Sequence, residues 1–231
     1  MNIIKKKIKI ILTFLPFGKT IKLIAKALLL LRNKSYRDLF FEINKSDICL
    51  DLGANVGDAS LIMWLKGAKF IYAIEPNYEA FSILKKNLKG IKNISFFNIA
   101  ISSQKGTQKL YLHKSIKNKS DKENIIKFSQ ASSLMEDKSN IGDCFYEVET
   151  LSLKDLFATL ELQPTLIKCD IEGGEYNIYD QFINLAKSNF VRKIFVECHS
   201  KKYPQYKMPH IDFIRCIKRN NLDKIIDTSW H

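Results

Sequence analysis

The sequence predicts an α/β protein: a doubly wound, mostly parallel sheet preceded by a basic helical extension. Three observations carry that expectation. From Asp47 onward, short apolar runs alternate with amphipathic stretches, the pattern of βαβ units whose sheet is covered on both faces. The first run ends in an acid and a glycine-bearing turn, Asp51-Leu52-Gly53-Ala54-Asn55-Val56-Gly57-Asp58, that opens a helix. The 231 residues are 46% hydrophobic and 26% charged, enough apolar material for one large core and unlike the composition of a disordered chain.

Charge divides the chain. Residues 1–37 hold ten Lys/Arg and no acid, whereas the other 194 hold 27 basic and 24 acidic residues, so the net +13 belongs mainly to the N-terminal piece. We therefore assign residues 1–37 to a basic amphipathic helical extension and residues 38–231 to a Rossmann-like body. In the extension, Leu23, Ile24, Ala27, Leu28 and Leu31 recur at helical spacing, with Lys22, Lys26 and Arg32 between them. Pro16 and Gly18 break this stretch from the preceding Ile/Leu run. Such a helix either packs on the body or lies on an anionic membrane surface. The run Ile10–Gly18 is too short to span a bilayer, which takes about 20 apolar residues. Lys19, Lys22 and Lys26 interrupt any signal-peptide pattern. The expected location is cytoplasmic, with peripheral contact at the inner face of the membrane through residues 1–31, and removing those residues is expected to spare cofactor binding.

In the body, Ile48–Asp51 reads as the first strand and Ala59–Lys66 as a helix. Phe70–Glu75 is the second strand, Tyr78–Leu88 a helix, and Ile94–Ile101 the third strand. Thr165–Asp170 and Val191–Glu197 are the fourth and fifth, separated by a helix from about Glu175 to Lys187. A helix near Pro209–Arg219 leads to a last strand, Lys224–Asp227, after which an antiparallel seventh strand is hard to place. Residues 113–143 are rich in Lys, Ser, Asn and Asp without a clear period, and read as a polar insertion or lid carried over the carboxyl edge of the sheet. Cys49, Cys144, Cys169, Cys198 and Cys216 form no C-x-x-C pair, which argues for a reducing compartment and against a disulfide scaffold or zinc site.

The chemistry gathers at the ends of the strands. Glycine at positions 53 and 57 lets the chain turn tightly and lets a ligand approach the backbone. Glu75, read as an exposed acid ending the second strand, is placed to accept hydrogen bonds from both hydroxyls of a ribose. The dinucleotide pattern G-x-G-x-x-G fails, because Asn55 and Asp58 stand where glycines are required. That argues against a nicotinamide-dependent oxidoreductase, the alternative enzyme reading. An amino-acid ammonium suits Asp51, while a pyrophosphate would be repelled by Asp51 and Asp58. At the third strand's end Asn98 is a candidate to bond an adenine amine. Asp170, Glu172 and Glu175 follow the fourth strand, and Glu197 and His199 the fifth, so adjacent strands gather acid–base groups, with Asp170 or His199 able to take a proton from a hydroxyl; Glu172 and Glu175 read equally as acids that start the next helix. No spacing singles out a metal site.

The acid-x-Gly-x-Asn-x-Gly turn resembles that of class I methyltransferases. Together with Ile74-Glu75-Pro76, Leu84-Lys85-Lys86-Asn87-Leu88, Leu166-Ile167-Lys168-Cys169-Asp170-Ile171-Glu172-Gly173-Gly174-Glu175 and Val196-Glu197-Cys198-His199, it resembles the FkbM family over about Asp47 to His199. The resemblance implies S-adenosylmethionine as cofactor, held by Asp51, Gly53, Asn55, Gly57, Glu75, Pro76, Asn98 and Asp170. It also implies O-methylation of a sugar, glycan or small-metabolite hydroxyl, with Asp170, His199 and Glu172 at the catalytic end. A nucleic-acid acceptor fits less well, since the body is nearly charge-balanced, although Lys114–Lys127 adds local positive charge. A non-catalytic membrane-surface module on the same scaffold is the remaining alternative.

Overall fold

The computed structural model describes residues 19–137, 139–199 and 207–230, and only the backbone of residues 19–22. The Ile10–Gly18 run and the Pro16–Gly18 break lie outside these residues. Six strands form the main sheet: β1 (Ile48–Leu52), β2 (Phe70–Ile74), β3 (Ile94–Phe97), β7 (Leu166–Cys169), β8 (Lys193–Glu197) and β9 (Ile226–Trp230). Their order is β3-β2-β1-β7-β8-β9, and every pairing among the described residues is parallel. The order reverses between β1 and β7, which places a crevice at their carboxyl ends.

Alternation along each strand sends neighbouring residues to opposite faces. In β1, Cys49 joins a cluster with Ile71, Ala73, Leu166 and Phe195, while Leu50 and Leu52 join one with Tyr72, Ile74, Ile167 and Val196. Four helices serve the first face: α1 (Lys19–Leu30), α2 (Lys34–Glu42), α3 (Asp58–Lys66) and α4 (Tyr78–Asn87). The second is covered by α6 (Leu153–Thr159), α7 (Tyr179–Lys187) and α8 (Lys207–Arg219).

Local chemistry fixes the helix ends. The Asn77 side chain accepts from the N–H groups of Glu79 and Ala80 to start α4, and Lys85 and Lys86 sit in its last turn, favoured by the helix dipole. Ser152 caps α6 in the same way, accepting from Asp155 N–H. A 3-10 turn, Gly174–Ile178, precedes α7, so the helix expected from Glu175 begins later as regular α-helix.

Two expectations are corrected. The third strand does not run to Ile101: it ends at Phe97, and β4 (Ala100–Ile101) leaves to pair with β6 (Ile141–Leu151). With β5 (Gly106–His113), antiparallel to β6, these make a separate three-stranded sheet. The segment between the two arms carries a short helix, α5 (Lys122–Lys127), and a 3-10 turn at Ser129–Ala131, and encloses its own small cluster of Leu112, Ile116 and Ile125. It is therefore not a structureless loop.

The extension is tied into the body. Ala27 is wholly buried beside Ala59 and Ile62, and Lys26 pairs with Asp58 at 2.6 Å. Removing residues 1–31 would open this face of the core, contrary to the expectation that the body tolerates the loss. At the other end of α2, Arg192 binds the Glu42 carboxylate at 2.6 Å and its carbonyl at 2.7 Å, and also grips both oxygens of Asp47. Burial pushes the Asp47 carboxyl up, but bonds from Arg192, the Asn44 N–H and Thr165 outweigh it and hold the group below its ordinary value.

Arg192→Ala is expected to destabilise the fold by about 1–3 kcal/mol at neutral pH, because buried Asp47 loses its main donor. The folded-state value of Asp47 is depressed, so its contribution is complete above the ordinary aspartate range and fades as pH falls through the folded value. Denaturant titrations should show the gap between parent and variant narrowing below about pH 4; a gap that widens there would contradict this origin.

Candidate active site

The pocket of about 310 Å³ lies at the carboxyl ends of β1, β2, β7 and β8, lined by Gly53, Glu75, Asp170 and Glu197 among others. That volume falls within the usual range of small-molecule sites, roughly 300–1,000 Å³.

Gly53 makes the closest backbone approach. Its φ is +72°, and a Cβ built on it would lie 1.8 Å from the carbonyl oxygen of Asp170. No side chain fits there, so the turn after β1 and the loop after β7 touch backbone to backbone. Asn55 is also left-handed, with φ +48°. Its N–H donates to Glu75 Oε2 at 2.8 Å, while the Asn77 N–H donates to Glu75 Oε1 at the same distance.

Glu75 is not the exposed acid expected from the sequence: it is 6% exposed. Each carboxylate oxygen holds one backbone N–H and keeps lone-pair capacity for a ligand in the pocket. Burial pushes its pKa up to about 7, against the lowering effect of the two N–H bonds.

Lys168, unremarked in the sequence as a functional group, sits below the turn. The register sets it beside Asp51 on the neighbouring strand, with Nζ 3.3 Å from Oδ1. Nζ also donates to Gly53 O at 3.0 Å and lies 3.8 Å from Asp170 Oδ2. Burial alone would push this amine down; the Asp51 and Asp170 carboxylates reverse the direction. The expected direct role of Asp51 is corrected: it is fully buried, bonded by Ser60 Oγ at 2.6 Å, and does not line the pocket. It supports the turn through Lys168 instead.

Gly57 likewise acts at a distance. It starts α3 at φ +96°, and a Cβ there would press on Leu84 and Leu88 at under 3.0 Å, so it sets how closely α3 and α4 pack. Pro76 does line the pocket, with Ile99, Ala100 and Ile101. Asn98 is corrected: it is exposed, and its Nδ2 is spent on the carbonyls of Glu75 at 2.8 Å and Pro76 at 3.1 Å. It holds the end of β2 rather than facing a ligand.

At the β7/β8 end, Glu172 adopts φ +55° and Gly173 φ +104°, turning the chain so that acids from both strands converge. His199 is 2% exposed, and its Nδ1 lies 2.7 Å from Oε1 of fully buried Glu175. Its Nε2 is 3.4 Å from Glu197, 3.7 Å from Glu172 and 3.9 Å from Asp170. Burial opposes a charged imidazole, yet Glu175 with Glu172 and Asp170 holds its pKa above the ordinary value. His199 does not line the pocket, whereas Asp170, Glu172 and Glu197 do. One ligand-type atom each from Asp170, Glu172 and His199 also lies within 4.8 Å of the others, close enough to share a divalent cation. Glu175, one of the acid–base candidates read after the fourth strand, lies under His199 and does not line the pocket.

The insertion and the extension complete the walls. The Ser129 hydroxyl lies 2.8 Å from Asn55 Oδ1, Asn77 Nδ2 donates to Ser132 Oγ at 3.0 Å, and Ser133 Oγ donates to Glu172 O at 2.7 Å. Asn33, Ser35 and Tyr36 enter from the α1–α2 side, with Tyr36 packed edge-on against Trp230 of β9 at 5.6 Å. Sequence gave no sign of these last four, because none belongs to a motif at the strand ends.

A family model described as the Methyltransferase FkbM domain matches residues 51–221. No curated protein matches the chain by sequence. Among solved structures, Pyrococcus horikoshii TYW2 in complex with MeSAdo aligns at 22% identity over 29% of this chain and 26% of its own, with a TM-score of 0.27. A candidate RNA methyltransferase from the same organism aligns at 28% identity over 33% of this chain and 34% of its own, with a TM-score of 0.24. The chain thus spans about a quarter to a third of these two proteins, a likeness of fragments.

Gly53→Ala should be poorly tolerated, since the methyl group meets backbone at a positive φ. The expected cost is about 1–3 kcal/mol or more, read as a fall of several degrees in the melting midpoint. An unchanged midpoint would contradict the contact with Asp170.

Proposed function

The chain belongs to the FkbM methyltransferase domain family, and we propose that it transfers the methyl group of S-adenosylmethionine to a hydroxyl of a sugar, glycan or small metabolite. The observation that carries the cofactor reading is Glu75: a buried carboxylate that opens onto the pocket beside the bare backbone of Gly53. Two oxygens, each steadied by a backbone N–H, match two neighbouring ribose hydroxyls. The apolar wall of Ile99, Ala100 and Ile101 suits a base, and the acid Asp170 suits an ammonium.

The cofactor, when bound, supplies a methyl group on a sulfonium, which departs by in-line displacement. The chain's own contribution is orientation and proton removal. Asp170 and Glu172 line the pocket and take the acceptor hydroxyl and its proton. His199 is a positioning residue: anchored through Nδ1 on Glu175, it gathers Asp170, Glu172 and Glu197 around Nε2.

The spacing of Asp170, Glu172 and His199 supports a second reading in which a divalent cation activates the hydroxyl. Chelation separates the two. With protein alone as the base, transfer to a panel of hydroxylated sugars continues in a chelator; with a cation, it stops and returns on adding magnesium or manganese.

At saturating cofactor, Asp170→Asn should lower turnover by about 10²–10⁴-fold, beyond any loss of cofactor affinity from its place beside the ammonium; full activity would remove Asp170 from the proton path. Glu75 gives a pH signature. With its carboxyl at about 7 before binding, a ligand that prefers the carboxylate should bind about tenfold more tightly at pH 8 than at pH 6. Fluorescence titration with S-adenosylhomocysteine measures this, and Glu75→Gln should bind weakly and without the pH slope. A slope that survives in the variant would contradict the ribose role.

A further inference from the structure

We infer that Tyr36 and Trp230 form the acceptor subsite, a wall that receives the ring of an uncharged saccharide beside Asp170 and Glu197; this rests on the cofactor reading of Glu75 and the Gly53 turn. Strand spacing divides the pocket. Glu75 follows β2 and Asp170 follows β7, two strands away across β1, or about 10 Å at the usual separation. A nucleoside at Glu75 with its ammonium at Asp170 occupies that span. The ends of β8 and β9 lie beyond it, and there Glu197 and Trp230, aligned in register, both line the pocket. Tyr36 joins them from α2, its ring edge-on to Trp230 with centroids 5.6 Å apart. Asn33, Ser35, Tyr36 and Trp230 all lie outside residues 51–221, the stretch shared with the family, so this wall is the chain's own addition to the pocket.

Local structure holds the wall in place. Asn33 Oδ1 accepts from the Ser35 N–H at 2.8 Å and caps the start of α2, just before Tyr36. Arg192 ties the other end of α2 through Glu42. Trp230 leans on Phe195, with ring centroids 5.9 Å apart. Burial pushes the Tyr36 phenol up to about 12, against the effect of Lys168 and with that of Asp58, Asp51 and Asp170. The hydroxyl therefore keeps its proton at neutral pH and can donate to an acceptor oxygen, while the ring offers an apolar face to sugar C–H groups. An aromatic face with a few placed polar groups is the usual way to orient a small ligand. Charge narrows the ligand further. Asp170, Glu172 and Glu197 line this end, and the cation below, Lys168, already pairs with Asp51. A phosphate or carboxylate on the acceptor would be repelled, so the ring that fits is uncharged.

The test compares the full chain with Tyr36→Phe, which keeps the ring against Trp230 and removes only the hydroxyl. Each protein is titrated with S-adenosylhomocysteine. The saturated complexes are then titrated with neutral methyl glycosides and disaccharides, and with the matching 6-phosphates, by saturation-transfer NMR. The expected result is binding of neutral members in preference to their phosphates. In Tyr36→Phe the saccharide dissociation constant should rise roughly three- to tenfold, while the melting midpoint and S-adenosylhomocysteine affinity stay at the parent values. Saccharide affinity unchanged in the variant overturns the inference, as does binding of the phosphates at least as well as the neutral members. A loss confined to S-adenosylhomocysteine affinity also overturns it, because Tyr36 would then serve the cofactor. A parent that binds S-adenosylhomocysteine but no saccharide overturns the subsite and leaves the cofactor reading standing; a parent that binds no S-adenosylhomocysteine removes both.

Discussion

The contact between Gly53 and the carbonyl of Asp170 is the constraint from which the site follows. Strands β1 and β7 are neighbours at the point where strand order reverses, and their carboxyl-terminal loops meet without a side chain between them. Gly53 also lines the pocket, so the turn that makes this contact borders the ligand space. The contact also brings the loop carrying Asp170 and Glu172 against the turn carrying Asn55. Lys168 holds the junction from below, joining the carbonyl of Gly53 to Asp51 and Asp170. A buried amine is tolerable here because the carbonyls of Leu52 and Gly53 accept from it and the two carboxylates balance its charge.

From that junction the pocket divides into two chemically distinct ends. At the β2 end, two N–H groups preorganise one carboxylate with apolar residues beside it, an arrangement suited to a nucleoside. At the β7/β8 end, three acids converge on one imidazole that is itself anchored on a fourth. In the proposed function the first end recognises the cofactor, and the second orients the acceptor and moves a proton. The insertion spans both, since Ser129 touches the turn and Ser133 the Glu172 loop, so the same segment that closes the pocket also couples its ends.

The parts legible in the sequence were contiguous ones. Strand, turn and helix around Gly53 declare themselves through apolar periodicity and paired glycines, and Glu75 through its place at a strand end. Side-chain partners that depend on register were not legible: Lys168 meets Asp51 only because β1 and β7 align Asp51 with Lys168. The support of His199 by Glu175 spans 24 residues and two loops. Arms β5 and β6 were missed because much of their surface is solvated, so no continuous apolar run marks them. The alternation of Leu110 and Leu112 on one arm, and of Val148 and Thr150 on the other, was the available signal. Asn98 misled for the opposite reason, since a strand-end asparagine reads equally as a ligand contact or a backbone tie, and the carbonyls of Glu75 and Pro76 claim it.

The central claim is that the Gly53 turn and Glu75 form a site for a nucleoside cofactor bearing an amino acid rather than a pyrophosphate. Calorimetric titration with S-adenosylhomocysteine, with NAD as the comparison, tests it most directly. The account predicts micromolar binding of the first, about −8 kcal/mol, and none of the second. Binding of NAD alone, or of neither, would contradict it.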